Sequence, residues 1–310
     1  MTIGGIEIVM LIASMMVAAT PILLAATGEL VAEKAGVLNL GVEGMMIMGA
    51  IGGFAAAVAT GSPVVGFLAA AVAGAAMALL FAFLTQRLLS NQVATGLALT
   101  LFGLGLSALL GQGLQGIKPP ATGKVPFGPL ADLPVVGPIV FGHDWVVYLS
   151  LLLVAAVWRF LGRARGGLIL RAVGENPEAA HALGYPVIRV RVLALAFGGA
   201  LAGLGGAYLS LVRVPQWTEG MTAGAGWIAL AIVVFASWRA ERVLLGAYLF
   251  GGITVLQLRL QAAGVPIPVQ LLSMAPYVLT IGVLVAMSGR RGRAALNAPA
   301  GLGRVFHATT

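Results

Sequence analysis

A short polar stretch in an otherwise apolar chain has the residue types of a protein-docking helix. It reads RAVGENPEAAHALGYPVIRVRV, and apolar runs long enough to cross a bilayer lie on both sides. Asn176 is a good N-cap, Pro177 suits the first helical position, and Glu178 adds a favourable charge in the first turn. Gly184 follows where a left-handed residue often ends a helix. The spacing therefore predicts one helix, over Pro177–Leu183, with both ends marked.

The chemistry of this helix is recognition of another surface rather than catalysis. A helix of about two turns is marginal in water, so it must dock against something. Its small face, made of Ala179, Ala180 and Ala182, offers little apolar surface for burial in lipid. We therefore favour a docking surface for a cytoplasmic protein. A linker that lies on lipid headgroups stays the alternative.

Asn39 and Glu43 are the polar residues within an apolar run that most clearly indicate a functional role. They are four residues apart, so on a helix they share a face. Ionisable side chains inside spans usually face a cavity or a partner. One interpretation is a polar patch that lies beside a pathway or holds a broken helix together. The other is a buried hydrogen bond to backbone freed by the nearby glycines, Gly36, Gly41 and Gly44.

We find no motif for catalysis, metal binding or ATP hydrolysis in the sequence. There is no cysteine, and the three histidines, His143, His181 and His307, are too far apart in sequence to indicate a ligand cluster. Paired carboxylates or a nucleophile with its base are not visible either. A P-loop needs G-x-x-x-x-G-K-[ST], but the one Gly-Lys pair, at 123–124, is followed by Val125. We expect neither an enzyme nor a bound cofactor.

The composition indicates the kind of fold that holds these residues in place. Of 310 residues, 60% are hydrophobic and 9% charged, and the mean hydropathy is +1.02. A span needs about 20 mostly apolar residues to cross the ~30 Å hydrocarbon core. Small residues at four-residue spacing, such as Gly199 and Gly203, suit helices that approach closely in lipid. The sequence predicts an all-α polytopic membrane protein with nine spans, at about 6–27, 37–60, 63–86, 93–113, 144–161, 190–212, 223–238, 243–262 and 269–288.

The positions of the positive charges predict the orientation of these spans. Loops rich in lysine and arginine stay in the cytoplasm, and the arginines lie mainly between spans five and six and in the tail. The C-terminus is therefore expected inside and the N-terminus outside, although a re-entrant first segment stays possible. One transmembrane domain covers 1–290, with a cytoplasmic loop at about 162–189 and an extracytoplasmic loop at about 114–143. A basic cytoplasmic tail covers 291–310. The net charge of +8 is thus an orientation signal rather than a sign of nucleic-acid binding.

Two sequence signatures resemble those of permeases from ATP-binding-cassette (ABC) importers. Glu178-Ala179-Ala180 with Gly184 reproduces the EAA-x-x-x-G pattern of their cytoplasmic coupling loop. The stretch GELVAEKAGVLNLGVEG is similar to E-[RK]-[SA]-G-V-x-N-[LI]-G-x-E-G, a signature of the branch for branched-chain amino acids, ribose and nucleosides. The matching positions are Glu33, Lys34, Ala35, Gly36, Val37, Asn39, Leu40, Gly41, Glu43 and Gly44.

Within that branch the chain is most similar to the shorter permease of nucleoside importers of the basic-membrane-protein type. The resemblance implies a bacterial inner-membrane permease that moves nucleosides together with a second, homologous permease. It also implies an extracytoplasmic binding lipoprotein and a cytoplasmic ATPase, which binds the ATP and Mg. The residues expected at the ATPase are Glu175, Asn176, Pro177, Glu178, Ala179, Ala180 and Gly184.

Other functions and substrates stay open at this point. A permease for a simple sugar such as ribose is the alternative within the family. A secondary transporter would need an intramembrane site for a coupling ion, for which Glu43 is the single candidate. Trp217 and Trp227 can stack a nucleobase, but tryptophans at span ends are more typical of interfacial residues. Asn91, Gln92 and Thr95 can face a pathway, but helix capping is the favoured interpretation.

Overall fold

A computed structural model describes residues 2–3, 6–264 and 297–307, with scattered positions between 268 and 285. Two short strands, Thr2–Ile3 and Ile6–Glu7, pair ahead of the first helix. Single π-helical turns, Phe83–Arg87 and Leu209–Arg213, prolong the third and eighth helices, and another, Gly137–Phe141, precedes the fifth. The helices are α1 (Ile8–Lys34), α2 (Val42–Thr60), α3 (Pro63–Ala82), α4 (Gln92–Gly111), α5 (Trp145–Arg163), α6 (Arg165–Glu175), α7 (Pro177–Ala182), α8 (Val187–Tyr208), α9 (Ala225–Phe235) and α10 (Ala240–Ala262).

Seven of the nine predicted spans are long, apolar helices in the described part of the chain: α1 to α5, α8 and α10. The predicted seventh span, 223–238, is instead α9, which has 11 residues and is too short to cross a bilayer alone. Its apolar run is cut at both ends, because Ala223 and Ser237 have left-handed backbone. The predicted ninth span, 269–288, lies outside the described residues except at isolated positions.

The boundary between the first two helices differs from the sequence prediction. Helix α1 runs seven residues beyond position 27 to Lys34, and α2 starts at Val42 rather than at 37. With 27 residues, α1 is about 40 Å long, which exceeds the hydrocarbon thickness. The polar residues after position 27 are good helix formers, and Gly36, with φ of +86°, turns the chain after α1 ends.

Helix α8 lies at the centre of the bundle and packs against α1, α2 and α3. Its contact with α3 is backbone to backbone, as the Gly199 and Gly203 spacing predicts. A Cβ added at Gly203 would collide with the carbonyl oxygen of Ala70, and one at Gly199 with that of Gly74. Because neither backbone can yield without moving a helix, the glycines set how closely α3 and α8 approach.

We expect Gly203→Ala to destabilise the protein by about 1–3 kcal/mol, because its methyl group overpacks this helix contact. The matched control is Gly105→Ala on α4, where an added Cβ meets nothing within 4 Å. That change should be neutral or slightly stabilising, since alanine favours helix. Unfolding of both variants in detergent, followed by circular dichroism, measures the difference. Equal stability of the two variants would contradict the close contact.

Candidate functional site

The predicted docking helix is present as α7, one residue shorter than expected. Asn176 caps it, because its Oδ1 accepts a hydrogen bond from the Ala179 N–H at 2.9 Å. Pro177 occupies the first helical position, as the sequence predicts. Gly184 has φ of +86°, and its N–H donates to the His181 carbonyl at 2.8 Å. Both ends of the helix are therefore fixed by local residues.

The predicted contact residues fall on two different faces of the α6–α7 corner. Pro177 and Ala180 point into the protein, and Ala180 is only 3% exposed. Ala180 is thus placed to hold α7 in position rather than to touch another protein directly. The residues that face outward include Glu175, Asn176, Glu178, Ala179, Leu183, Gly184 and Tyr185, which we call the outer surface of α7.

The C-terminal segment, residues 297–307, packs against the inner side of this corner. Phe306 is buried in a small apolar cluster with Val173, Ala180 and Val187. The Ala300 N–H donates to a carboxylate oxygen of Glu175 at 3.1 Å, and the Gly301 N–H donates to the Gly174 carbonyl at 2.9 Å. The part of the predicted basic tail that the structure describes is therefore a packed support for α7.

Arg191 connects the α7 region to the rest of the bundle. Its side chain is fully buried. Its Nε donates to the Ala35 carbonyl at 3.2 Å, and its Nη1 donates to the Arg304 carbonyl at 3.1 Å and to Gln86 Oε1 at 3.4 Å. In the sequence, Arg191 follows the basic segment between the fifth and sixth predicted spans and was counted with its arginines as an orientation signal. The structure shows instead a buried charge that joins α8, the α1–α2 loop and the C-terminal segment.

Asn39 and Glu43 do not share a helix face, in contrast to the prediction. Asn39 lies in the loop before α2. Its Oδ1 accepts from the Gly41 N–H at 3.0 Å, and its Nδ2 donates to Glu29 at 3.3 Å. The loop is also held from α4, because Gln92 Oε1 accepts from the Leu38 N–H. Asn39 therefore has a structural role in shaping the break between α1 and α2.

Glu43 caps the start of α9. One carboxylate oxygen accepts from the Thr222 hydroxyl at 2.5 Å and from the Gly224 N–H at 3.0 Å, and the other accepts from the Gly226 N–H at 2.7 Å. A carboxylate at a helix N-terminus is favourable, because it binds free N–H groups and complements the helix dipole. Glu43 therefore hydrogen-bonds to buried backbone, as the second interpretation of the sequence expected. That backbone lies at the start of α9, however, and not at Gly36, Gly41 and Gly44. Gly44 provides close packing with α4 at Leu99.

Two buried carboxylates on α1 form a pair that the sequence analysis missed, although one of them belongs to the signature. Glu29 and Glu33 are one turn apart and both are 1% exposed. Glu33 accepts a hydrogen bond from the Trp238 indole N–H, whereas Glu29 Oε1 has no partner among the described residues. Their four-residue spacing in the sequence could have revealed this pair. The expectation that the chain has no paired carboxylates was therefore wrong. In the described part of the chain, no three acidic or histidine side chains group closely enough to hold a metal ion.

A cavity of about 610 Å³ lies toward the other end of α8 from α7. It opens between α1, the π-helical turn after α8, and helices α9 and α10. A cavity of this size with a few convergent polar groups suits a small organic solute. Its apolar wall includes Phe250. Its polar lining consists of Arg213, Thr218, Thr222, Thr254 and Gln257.

The sequence-based candidates for solute contact do not line this cavity. Asn91 caps α4 through the Ala94 N–H at 3.0 Å, as favoured. Trp217 is 1% exposed and packs against Gly111, so the interfacial interpretation was wrong for it. The polar cavity residues are dispersed over three segments of the sequence, which is why no local motif identifies them.

Comparison with known proteins agrees with this architecture. The sequence matches the family described as branched-chain amino acid transport system / permease component over residues 11–286. A putative glucose ABC transporter permease, TsgC13 of Haloferax volcanii, is 47% identical, across 86% of this chain and 88% of that protein. The guanosine ABC transporter permease NupQ of Bacillus subtilis is 32% identical, across 89% of this chain and 91% of that protein. The nucleoside ABC transporter permease NupC of Lactococcus lactis is also 32% identical, across 90% and 92%.

These matches cover most of the chain, including the α1–α2 signature and the α6–α7 corner. They confirm the resemblance to ABC permeases, and the seven apolar helices fit a multi-pass membrane protein. The chain therefore belongs to the family of permease components of branched-chain amino acid transport systems.

Proposed function

We propose that the chain is the permease subunit of an ATP-driven importer that carries nucleosides across the cytoplasmic membrane. In this proposal the α7 side faces the cytoplasm, with the N-terminus outside and the C-terminus inside. ATP and Mg are bound by a separate ATPase, because the sequence contains no P-loop. The outer surface of α7 contacts that ATPase. Family membership and the exposed, firmly capped α7 support this assignment.

The observation that carries the proposal is a continuous connection from α7 to the cavity. Helices α1 and α8 are both fixed at the α7 side, because the Arg191 side chain on α8 bonds to the Ala35 carbonyl after α1. Helix α1 contributes Pro21 and Ile22 to the cavity walls, and the π-helical turn that prolongs α8 contributes Leu209. In this proposal a displacement of α7 by an ATPase would reach the cavity through these two helices.

The cavity lining suits a solute rich in hydroxyl groups. Threonine hydroxyls and the Arg213 guanidinium can bond to sugar hydroxyls. The apolar wall with Phe250 can contact a nucleobase, since aromatic rings stack on bases. Two of the relatives named above carry the names of guanosine and nucleoside permeases, which supports a nucleoside as the solute.

Glucose or another simple sugar is the second candidate. The specific observation in its favour is the 47% identity to a putative glucose permease. The same hydroxyl-binding side chains would serve a sugar, while the apolar wall would then have no base to contact.

A second, homologous permease and an extracytoplasmic binding protein complete the proposed importer. The part of this chain that the structure describes contains one helix of this kind, α7, whereas an importer with two ATPase subunits presents two such helices. Substrate capture by a separate protein would leave the permease with few polar solute contacts, in agreement with the modest polar lining of the cavity.

Transport by the reconstituted complex tests the solute. We expect ATP-dependent uptake of guanosine, and competition by other nucleosides. Arg213→Gln should raise the KM about ten- to hundredfold, because a hydrogen bond from a charged group contributes about 1.5–3 kcal/mol. Arg259→Gln is the matched control, because Arg259 is exposed on α10 and lies outside the cavity lining. Uptake of glucose with nucleosides neither transported nor competing would establish the sugar candidate instead.

A further inference from the structure

A second groove, of about 590 Å³, opens on the α7 side between the end of α1, the α5–α6 corner and the α9–α10 turn. We call it the basic groove, because Lys34, Arg171 and Arg239 line it together. The positive charges of Arg171 and Arg239 both act on Lys34. Three like charges in one groove repel one another, and a bound anion would remove that repulsion.

The hydrogen-bond donors that line the basic groove are only partly paired with acceptors. Lys34 Nζ donates to the Asn297 carbonyl at 2.8 Å, which occupies one of its three protons. Arg171 Nε is buried and has no hydrogen-bond partner among the described residues. A buried donor without a partner costs free energy, so an unpaired guanidinium N–H in a groove indicates a missing acceptor.

The position of Arg239 depends on strained backbone. The two residues before it, Ser237 and Trp238, have φ of 50° and 55°, a region that bulky side chains rarely adopt. The Trp238 indole bonds to Glu33 of α1, which holds this turn against the helix that carries Lys34. Strain of this kind persists only where the surrounding structure enforces it, and it often marks functional sites.

Two acidic residues also line the basic groove, and they leave an excess of positive charge. Glu175 attracts Lys34 and accepts the Ala300 N–H, so part of its capacity is used by the C-terminal segment. Glu241 lies in the first turn of α10, where the helix N-terminus stabilises its charge. Among the described residues the groove has three cations and two carboxylates, which leaves one positive charge for a further anion.

The remaining wall of the basic groove is apolar and exposed. Trp158 is 49% exposed and Leu168 is 60% exposed, and Leu161 lies beside them. These residues belong to the α5–α6 corner, where a long apolar helix ends and a basic amphipathic segment begins. A groove with cations at one side and exposed apolar side chains at the other fits an amphiphile at the membrane surface.

We propose that the basic groove binds an anionic phospholipid, whose phosphate bonds to Arg171, Lys34 and Arg239 and whose acyl chains contact Trp158 and Leu168. The proposal rests on the proposed function only for placing this groove at the cytoplasmic leaflet. The bound lipid would fill the contact between α1, α6 and α10, and so stabilise the corner that holds α7.

Lipid binding to the full-length purified chain tests the proposal. Three probes are added separately: palmitoyl-oleoyl-phosphatidylglycerol, the matching phosphatidylcholine, and inorganic phosphate. Native mass spectrometry and melting temperature provide the readouts. We expect retention of phosphatidylglycerol and a raised melting temperature with it alone. Arg171→Gln should weaken phosphatidylglycerol binding about tenfold, while Arg159→Gln, an exposed α5 arginine outside the groove, should not.

Several results would overturn the proposal. Equal binding of the two lipids would show that charge is not recognised, and equal binding of free phosphate would make this a site for small anions. Displacement of the lipid by the ATPase would assign the groove to a protein contact instead. Should Arg171→Gln fold poorly, Lys34→Met must show the same selective loss. Because binding is measured without transport, a chain that fails to import nucleosides but retains the lipid refutes the proposed function and leaves this inference standing.

Discussion

Glu43→Leu is expected to destabilise the protein by at least about 3 kcal/mol and to detach α9 from α2. The substitution leaves three donors without an acceptor, namely the Thr222 hydroxyl and the N–H groups of Gly224 and Gly226. Each unsatisfied buried donor costs about 1–3 kcal/mol. Thr222 also lines the solute cavity, so the cavity wall should be lost with the cap.

The control for this prediction is Glu43→Gln, which keeps one carbonyl acceptor of the same size. We expect it to cost about 1–3 kcal/mol, because it loses the charge and one of the two acceptor oxygens. Chemical unfolding in detergent micelles, monitored by circular dichroism, gives the free energies of unfolding. If Glu43→Leu unfolds like the wild-type chain yet stops transport, the carboxylate acts in the pathway, and the capping role is wrong.

Local structure was predictable from the sequence, because its causes lie within a few residues. The cap at Asn176, the proline at the first helical position and the left-handed Gly184 act over distances of three or four residues. The close approach at Gly203 follows from small-residue spacing alone. These features decide how a helix starts, ends and approaches a neighbour, whatever the remaining fold.

The connections between distant segments were not predictable, because the partners are far apart in the chain. Arg191 bonds to residues more than 100 positions away on either side. A basic residue near a span end is usually exposed, so the sequence suggested orientation rather than burial. The inward direction of Ala180 likewise depends on Phe306, more than 100 residues later.

Hydropathy alone also misjudged α1 and α9 for physical reasons. The charges of Glu29 and Glu33 led to a predicted span that ends before them, whereas both side chains are buried by neighbouring helices. Hydropathy predicted a full span for the apolar run around α9, although left-handed residues at both ends shorten the helix to 11 residues. Burial by neighbours and backbone conformation are both properties of the assembled fold.

Ala180→Arg is expected to uncouple ATP hydrolysis from transport while the membrane bundle stays folded. The arginine cannot fit between Val173, Val187 and Phe306, so the C-terminal segment must move and α7 must shift. Overpacking of this kind costs the permease about 1–3 kcal/mol. Because the shifted α7 no longer presents its outer surface correctly, we also expect ATPase association to weaken. ATP hydrolysis and solute uptake, measured together, give the coupling ratio.

A single cysteine at Ala179 makes the displacement of α7 visible, because the chain has no native cysteine to give background. Ala179 is exposed next to buried Ala180, so Ala179→Cys should cross-link efficiently to the ATPase, and adding Ala180→Arg should abolish the cross-link. Removal of residues 297–310 provides the matched background. If Ala180→Arg acts by expelling Phe306, it should add little to that truncation, since two changes in one contact are not additive. Full additivity would place the effect at the ATPase surface itself, and normal transport by Ala180→Arg without any cross-link from Ala179→Cys would reject α7 as the coupling element.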